Sequence, residues 1–357
     1  MQVKEKRNVT IVDIAEAAGV SRAAVSLVLR GKTGVGASAR ARVQQAMRDL
    51  GYVYNRGAAN LRQSRSSVVG MIINDLTNPF FAELAVGIDR ALQISNYMPF
   101  MANTAESVVR QVELIRSMRE HGAVGLIVSP ALDTDPDELA ELAQDFPLVL
   151  AVRRIAGSRL ASAVSQNREG AQAATRHLLG LGNRKIAFLG GRSATIIRAE
   201  RLAGYRAALE AQGIAFDPAL VIESMPTRLG GIDAMNAALS LPTRPDAALC
   251  FNDVVAMGAM IALNHHGLVP GRDIGIVGFD DIAEAALVSP PLTTIAVNAE
   301  VLGENAARLL LNQIRNGASA IENYVGDARL VVRGSCGAQG QTASIQTACL
   351  MPIQKGP

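Results

Sequence analysis

From Val68 onward the chain alternates short, almost wholly apolar runs with amphipathic stretches, in two successive series. Val68-Val69-Gly70-Met71-Ile72-Ile73, Gly125-Leu126-Ile127-Val128 and Leu148-Val149-Leu150-Ala151-Val152 read as strands, and Pro99-Phe100-Met101-Ala102 as a weaker one. Helices over 82–92 and 108–118 separate them. The second series begins near Gly170. Helices over 171–181, 200–212, 231–239 and 254–265 alternate there with strands over 185–189, 219–223, 247–251 and 274–279. Strands without polar alternation are buried on both faces, which means parallel sheets covered by helices. Two such series predict two doubly wound lobes. Open parallel sheets take ligands outside the carboxyl ends of their strands, so the cleft between the lobes is the expected site.

The first ~60 residues obey a different rule, the ~3.6-residue period of helices. Apolar residues at 11, 14, 15 and 18 share one helical face, and Gly19 supplies a turn. Ser21 caps a second helix that buries Val25, Val28 and Leu29 and turns Arg22, Ala23 and Ser26 outward. This is the pattern of a helix-turn-helix. A third amphipathic helix is expected over 39–50, with Ser38 as its cap and Gly51 as its stop. After Tyr52-Val53-Tyr54-Asn55 comes a basic, small-residue stretch from Arg56 to Ser67, too short for a domain.

Charge follows the same division. Residues 1–66 hold 12 Lys/Arg against 4 Asp/Glu, whereas the remainder holds 23 against 28. A basic head on a mildly acidic body suits a polyanionic partner for the head alone. The residues are 49% hydrophobic, enough to fill a sizeable core. Cys250, Cys336 and Cys349 are widely spaced and odd in number, so neither a disulfide framework nor a zinc site is expected. No run reaches ~18 apolar residues and no apolar leader opens the chain, so a soluble, cytoplasmic protein is expected. No Gly-x-Ser-x-Gly elbow, His-Glu-x-x-His pair, P-loop or Gly-x-Gly-x-x-Gly follows a strand, which argues against an enzyme. No metal or cofactor is expected.

These residues resemble the LacI/GalR family of bacterial regulators. The resemblance is carried by Val9-Thr10-Ile11 with Ala15-Glu16-Ala17-Ala18-Gly19-Val20-Ser21, Leu50-Gly51-Tyr52, Asn78-Pro79-Phe80-Phe81 and Arg201-Leu202-Ala203-Gly204-Tyr205. It continues through Asn252-Asp253, Gly278-Phe279-Asp280-Asp281 and Pro290-Pro291-Leu292-Thr293-Thr294. Val25-Ser26-Leu27-Val28-Leu29 and the Leu76 entry before Pro79 look most like its MalI-type branch. The resemblance implies a helix-turn-helix head over 1–55, a hinge over 56–67 and a two-lobed, periplasmic-binding-protein-like core over 68–337. That core would bind an effector and dimerise, its chain crossing between lobes near 165 and 297. A disordered tail over 338–357 is expected from composition.

The implied partners are operator DNA, a second copy (as a dimer or a dimer of dimers) and a small effector, usually a sugar or a derivative. A phosphoprotein partner, used by some relatives, has no direct sign in the sequence. For DNA, the resemblance points to Arg22, Ala23 and Leu27 at base edges. Thr10, Ser21, Ser26 and Tyr52 would lie at phosphates, with Arg30 adding electrostatics and Leu61 wedging into the minor groove. Arg22 has the chemistry to pair bidentately with guanine. For the effector the resemblance points to Arg201, while strand-end position and side-chain chemistry point to Asn74, Phe80 and Asp253. Arg153 is a further candidate where the chain departs from the family, many members having an aspartate before the arginine of Arg153-Arg154. Asp253 follows the strand over 247–251 at its carboxyl end, where a carboxylate can accept sugar hydroxyls or cap the next helix. Arg201 reads as lying near a helix start. Arg153 in the cleft would favour an anionic effector; turned to solvent it would not, and charge alone does not decide.

Overall fold

The computed structural model describes residues 9–29, 32–52, 66–319 and 321–338. The expectations placed on Arg30, Leu61, most of the hinge and the tail beyond Ala338 lie outside these residues. The chain divides into two compact units between Ser66 and Ser67.

In the first unit, α1 (Ile11–Ala18), α2 (Arg22–Leu29) and α3 (Ala37–Asp49) enclose Ile14, Ala15, Ala18, Val25, Val28, Val43 and Ala46. Thr10 opens α1 with a capping box, its hydroxyl and Asp13 exchanging hydrogen bonds. Gly19 ends α1 at φ 62°, a left-handed turn that glycine enters without a Cβ clash. Ser21 Oγ accepts from Ala24 N–H at 3.2 Å, so it caps α2 as expected. The cap expected at Ser38 is a correction. α3 begins two residues earlier and Gly36 stands at its N-cap with no side-chain bond.

The second unit holds two parallel sheets. The first comprises β1 (Val68–Ile73), β2 (Met98–Asn103), β3 (Ala123–Val128), β4 (Leu148–Val152), β5 (Ala161–Ser165) and β11 (Asn323–Gly326), in the order β11-β5-β4-β3-β1-β2. The second comprises β6 (Ile186–Leu189), β7 (Val221–Ile222), β8 (Ala247–Cys250) and β9 (Gly275–Val277), in the order β7-β6-β8-β9. Side-chain alternation divides each sheet between two helical layers. In β1, Val69, Met71 and Ile73 pack toward α4 (Pro79–Ile94) and α11 (Ala299–Asn316). Ile72 faces the opposite layer, with Ile115 of α5 (Val108–Glu120) and Leu139 of α6 (Pro136–Leu142). The second sheet is covered by α7 (Asn167–Gly180) and α8 (Ile196–Glu210) on one face. On the other lie α9 (Arg228–Leu239) and α10 (Asp253–His265).

The chain crosses between lobes after β5 and again after β10 (Thr294–Ala296). It crosses a third time, because β11 returns to the first sheet and β12 (Arg329–Val331) then pairs with β10. Sequence patterning gave no hint of β11, whose exposure alternates in four residues, Asn-Tyr-Val-Gly.

The helix layers are tight. A Cβ on Gly87 of α4 would run into the Glu300 carbonyl of α11, and one on Gly303 into the Leu84 carbonyl. Backbones therefore touch where these helices cross. Gly87→Ala is expected to destabilise the protein by about 1–3 kcal/mol through overpacking, read from the urea midpoint. An unchanged midpoint would mean that the helices separate freely.

Candidate functional site

A cavity of about 350 Å³ opens between the carboxyl ends of the two sheets. The first lobe contributes Asn74, Asp75, Phe80, Phe81, Glu106, Leu132, Val152 and Arg153. The second contributes Asn167, Arg192, Ile197, Arg201, Met225, Thr227, Phe251, Asn252 and Asp280. The parallel topology explains this convergence, since every strand of a parallel sheet delivers its carboxyl end to the same edge.

Arg201 forms the floor. Helix α8 starts at Ile196, capped by Thr195, so Arg201 lies in the second turn and not at the helix start that the sequence suggested. Its residue is 6% exposed. Nε donates to Asn167 Oδ1 at 3.0 Å, Nη1 to the Phe251 carbonyl, and Nη2 to Asp280 Oδ1 at 3.4 Å. The guanidinium also lies over the Phe279 ring, 3.6 Å from its centroid. Burial lowers its pKa, against the opposing charge of Asp280. Burial likewise pushes Asp280 up to about 6, with Arg201 pulling the other way.

Four of the five expected effector residues line the cavity: Asn74, Phe80, Arg153 and Arg201. Asp253 does not. Its side chain is fully buried, accepting from Thr294 Oγ1 at 2.5 Å and from Ile282 N–H at 2.9 Å. The physical reason is helix geometry. Asn252 is the N-cap of α10 and lines the cavity, whereas Asp253 is the first helical residue and turns inward beneath the crossover strand β10. Burial raises its pKa well above the usual carboxylate range. The carboxylate that the second lobe turns to the cleft is Asp280, which belongs to the Gly278-Phe279-Asp280-Asp281 motif but was assigned no role from sequence. Glu106, Asn167, Arg192, Thr227 and Phe251 were also missed as lining residues. The strand-end rule could have found Phe251, Asn252 and Asp280. Nothing in the local sequence marks Glu106.

Arg153 is paired. Its Nη2 and Nη1 meet Glu106 Oε1 and Oε2 at 2.9 and 3.2 Å. Backbone strain gathers here too. Ala105, Glu106, Val152 and Asp280 have φ of 51°, 62°, 72° and 118°, and all four line the cavity. Such conformations persist only where the surroundings over-determine them. Outside the cavity, contacts between the lobes include Ala283 N–H donating to Glu83 Oε1 at 3.0 Å and Arg154 with Glu200 at 3.2 Å.

In the first unit Arg22 and Ala23 are exposed at the start of α2, and Ser26 and Leu27 are half-buried one turn on. Thr10 and Ser21 are exposed and Tyr52 is half-buried.

Comparison with known proteins places this architecture. "Bacterial regulatory proteins, lacI family" matches residues 10–55, and "Periplasmic binding proteins and sugar binding domain of LacI family" matches residues 66–331. The chain belongs to the LacI family. It is a DNA-binding repressor with a small-molecule effector core. The maltose regulon regulatory protein MalI of Escherichia coli is 31% identical, over 91% of this chain and 98% of its own length. The E. coli regulator GalR is 33% identical over 85% and 88%. These identities do not separate the MalI-type branch from others. Among solved structures, the lac repressor dimer bound to operator and the anti-inducer ONPF superposes with a TM-score of 0.81. It is 26% identical, over 92% of this chain and 99% of that one. The CelR–cellobiose complex gives 0.70 at 28% identity, over 92% and 100%. No helix among the described residues is long and apolar enough to cross a membrane.

Two predictions follow from the buried carboxylates. Asp253→Ala strands the Thr294 hydroxyl and Ile282 N–H, so it should cost about 1–3 kcal/mol of stability. The cavity lining stays intact, and denaturant unfolding beside effector titration separates the two effects. Loss of effector binding at full stability would return Asp253 to the site. Asp280 has a raised pKa in the fold, so its ionisation opposes folding. The core should therefore lose stability as pH rises from about 4 to about 6. Asp253 and Glu83, also raised, act in the same direction. In Asp280→Asn the Tm-against-pH slope should be shallower; an equal slope would assign the titration elsewhere.

Proposed function

We propose that this chain represses carbohydrate-metabolism genes in the bacterial cytoplasm, as a homodimer or dimer of dimers whose grip on operator DNA is set by a sugar-like effector. It carries no enzymatic activity in this reading. The observation that carries it is the cavity floored by Arg201, Asn252 and Asp280 in the same chain as a helix-turn-helix with exposed Arg22 and Ala23. The relatives support the effector class, since solved members hold cellobiose and ribose.

Within this reading Arg22 pairs with a guanine edge, and Ala23 and Leu27 limit contact to apolar groups such as a thymine methyl. Thr10, Ser21, Ser26 and Tyr52 contact phosphates, and Arg30 adds charge. Leu61 enters the minor groove as an apolar wedge. A second copy covers the edge strand β2, where Met98, Phe100 and Met101 are about half exposed; an uncovered apolar edge is a pairing hazard. The effector acts through its different affinity for open and closed lobes. The Glu83–Ala283 and Arg154–Glu200 clasps are contacts that closure keeps and opening breaks.

The test is fluorescence anisotropy of the full-length protein on its own upstream DNA, at two salt concentrations, with and without a sugar panel. Selective, salt-sensitive binding that one sugar shifts is expected. Arg22→Ala should lose about 1–3 kcal/mol on that site and little on scrambled DNA. Equal affinity of the wild type for both DNAs would contradict the reading.

A further inference from the structure

We infer that Glu106 makes the cleft selective for uncharged effectors, by holding Arg153 in a ready-made bidentate pair so that a ligand anion finds no free cation on that wall. The inference rests on the reading of the cleft as the effector site and specifies its ligand by charge.

Sequence alone leaves an arginine at the end of β4 with no partner in view. The structure supplies the partner from a loop ~50 residues away in sequence, and fixes it on several sides. Both Arg153 Nη atoms meet Glu106, and the two side chains are only 12% and 24% exposed. Asn74 Nδ2 donates to the same Glu106 Oε1 at 2.5 Å, and Leu132 N–H donates to Oε2 at 2.9 Å. Asn74 is itself held by Ser129 Oγ at 2.9 Å. Every one of these bonds opposes the carboxylate swinging away. The loop adopts two successive left-handed, non-glycine residues, Ala105 and Glu106, to deliver it. Strain of this kind points to a constraint at a functional surface.

Of the other two cations lining the cavity, Arg201 pairs with Asp280, and Arg192 is an exposed residue of the opposite lobe. The lining carries Arg153, Arg192 and Arg201 against Asp75, Glu106 and Asp280, so it is balanced in formal charge. An anion at Arg153 would have to displace a fixed bidentate partner or sit beside its carboxylate, and like charges at that range repel. A hydroxyl or ether oxygen faces no such conflict.

The experiment uses full-length protein and two sets of probes in calorimetric titration. The first is inorganic phosphate against chloride at matched ionic strength. The second is matched sugars: ribose with ribose 5-phosphate, galactose with galacturonate, and cellobiose with cellobionate. The wild type should ignore phosphate and prefer the uncharged member of any pair it binds, by about tenfold or more. Glu106→Gln should gain phosphate binding and lose that preference, and adding Arg153→Gln should abolish the gain. If Glu106→Gln does not fold by its circular-dichroism melt, Glu106→Asn, which also removes the charge and tolerates the left-handed backbone at this position, is expected to move the same way. Wild-type protein that binds phosphate as well as Glu106→Gln does, or that prefers the anionic sugars, overturns the inference and leaves the effector reading standing. A wild type that binds no sugar of either charge overturns both.

Discussion

A single buried cation organises the cleft. Arg201 is taken almost wholly out of water, and a guanidinium so placed must be surrounded by acceptors or the fold loses several kcal/mol. The fold answers by bringing three separate segments to it: Asn167 at the start of α7, the Phe251 carbonyl after β8, and Phe279-Asp280 after β9, which supply the ring beneath and the carboxylate. Each of these lies at a strand end or a helix start, the places where a parallel α/β sheet exposes its chain. The positions of Asn252 and Asp280 in the lining follow from meeting that demand, as does the burial of Asp253 one residue beyond. Asp280 is further fixed by its backbone, whose N–H donates to the Ile295 carbonyl of β10. The ion-pair floor and the crossover strand are thereby parts of one assembly. This gives a physical route from an occupied cleft to the segments that join the lobes.

The opposing wall is built on a different economy. It presents apolar rings and aliphatic groups, Phe80, Phe81, Leu132 and Val152, around one closed ion pair, Arg153 with Glu106. Each wall thus sets polar groups beside apolar ones, and on the first lobe's wall the Arg153 charge is already matched by Glu106. A ligand that carries both hydroxyls and an apolar face matches such a cleft. Preorganised polar groups set orientation while apolar contact supplies much of the affinity.

Much of this was legible in the sequence, and its limits are instructive. The apolar strands β1 and β4 begin and end where the hydrophobic runs do, because a doubly buried parallel strand has no other composition available. Helix starts were less legible. Reading α8 from residue 200 and α4 from residue 82 missed the first turns, where Ile196, Pro79 and Phe80 carry no charge signal and the caps Thr195 and Asn78 decide the boundary. The same kind of error misplaced Asp253. Two adjacent polar residues at a strand end differ in fate by one helical step, and only the cap geometry of Asn252 separates them. Glu106 was invisible for another reason. Its role depends on a left-handed loop conformation and on a partner from a different strand, neither of which leaves a local trace. The pair also revises the notion that Arg153 gives the cleft a net positive wall. The arginine does line the cleft, but its charge is already matched.

The most direct test of the account is native hydrogen exchange on the full-length protein, with and without the sugar that shifts its operator binding. The account predicts added protection on both walls of one cavity, at amides around 74–81, 104–106, 195–198, 227–229, 251–253 and 279–281. Protection confined to one lobe, or centred on the outer helix faces of α4 and α11, would contradict it.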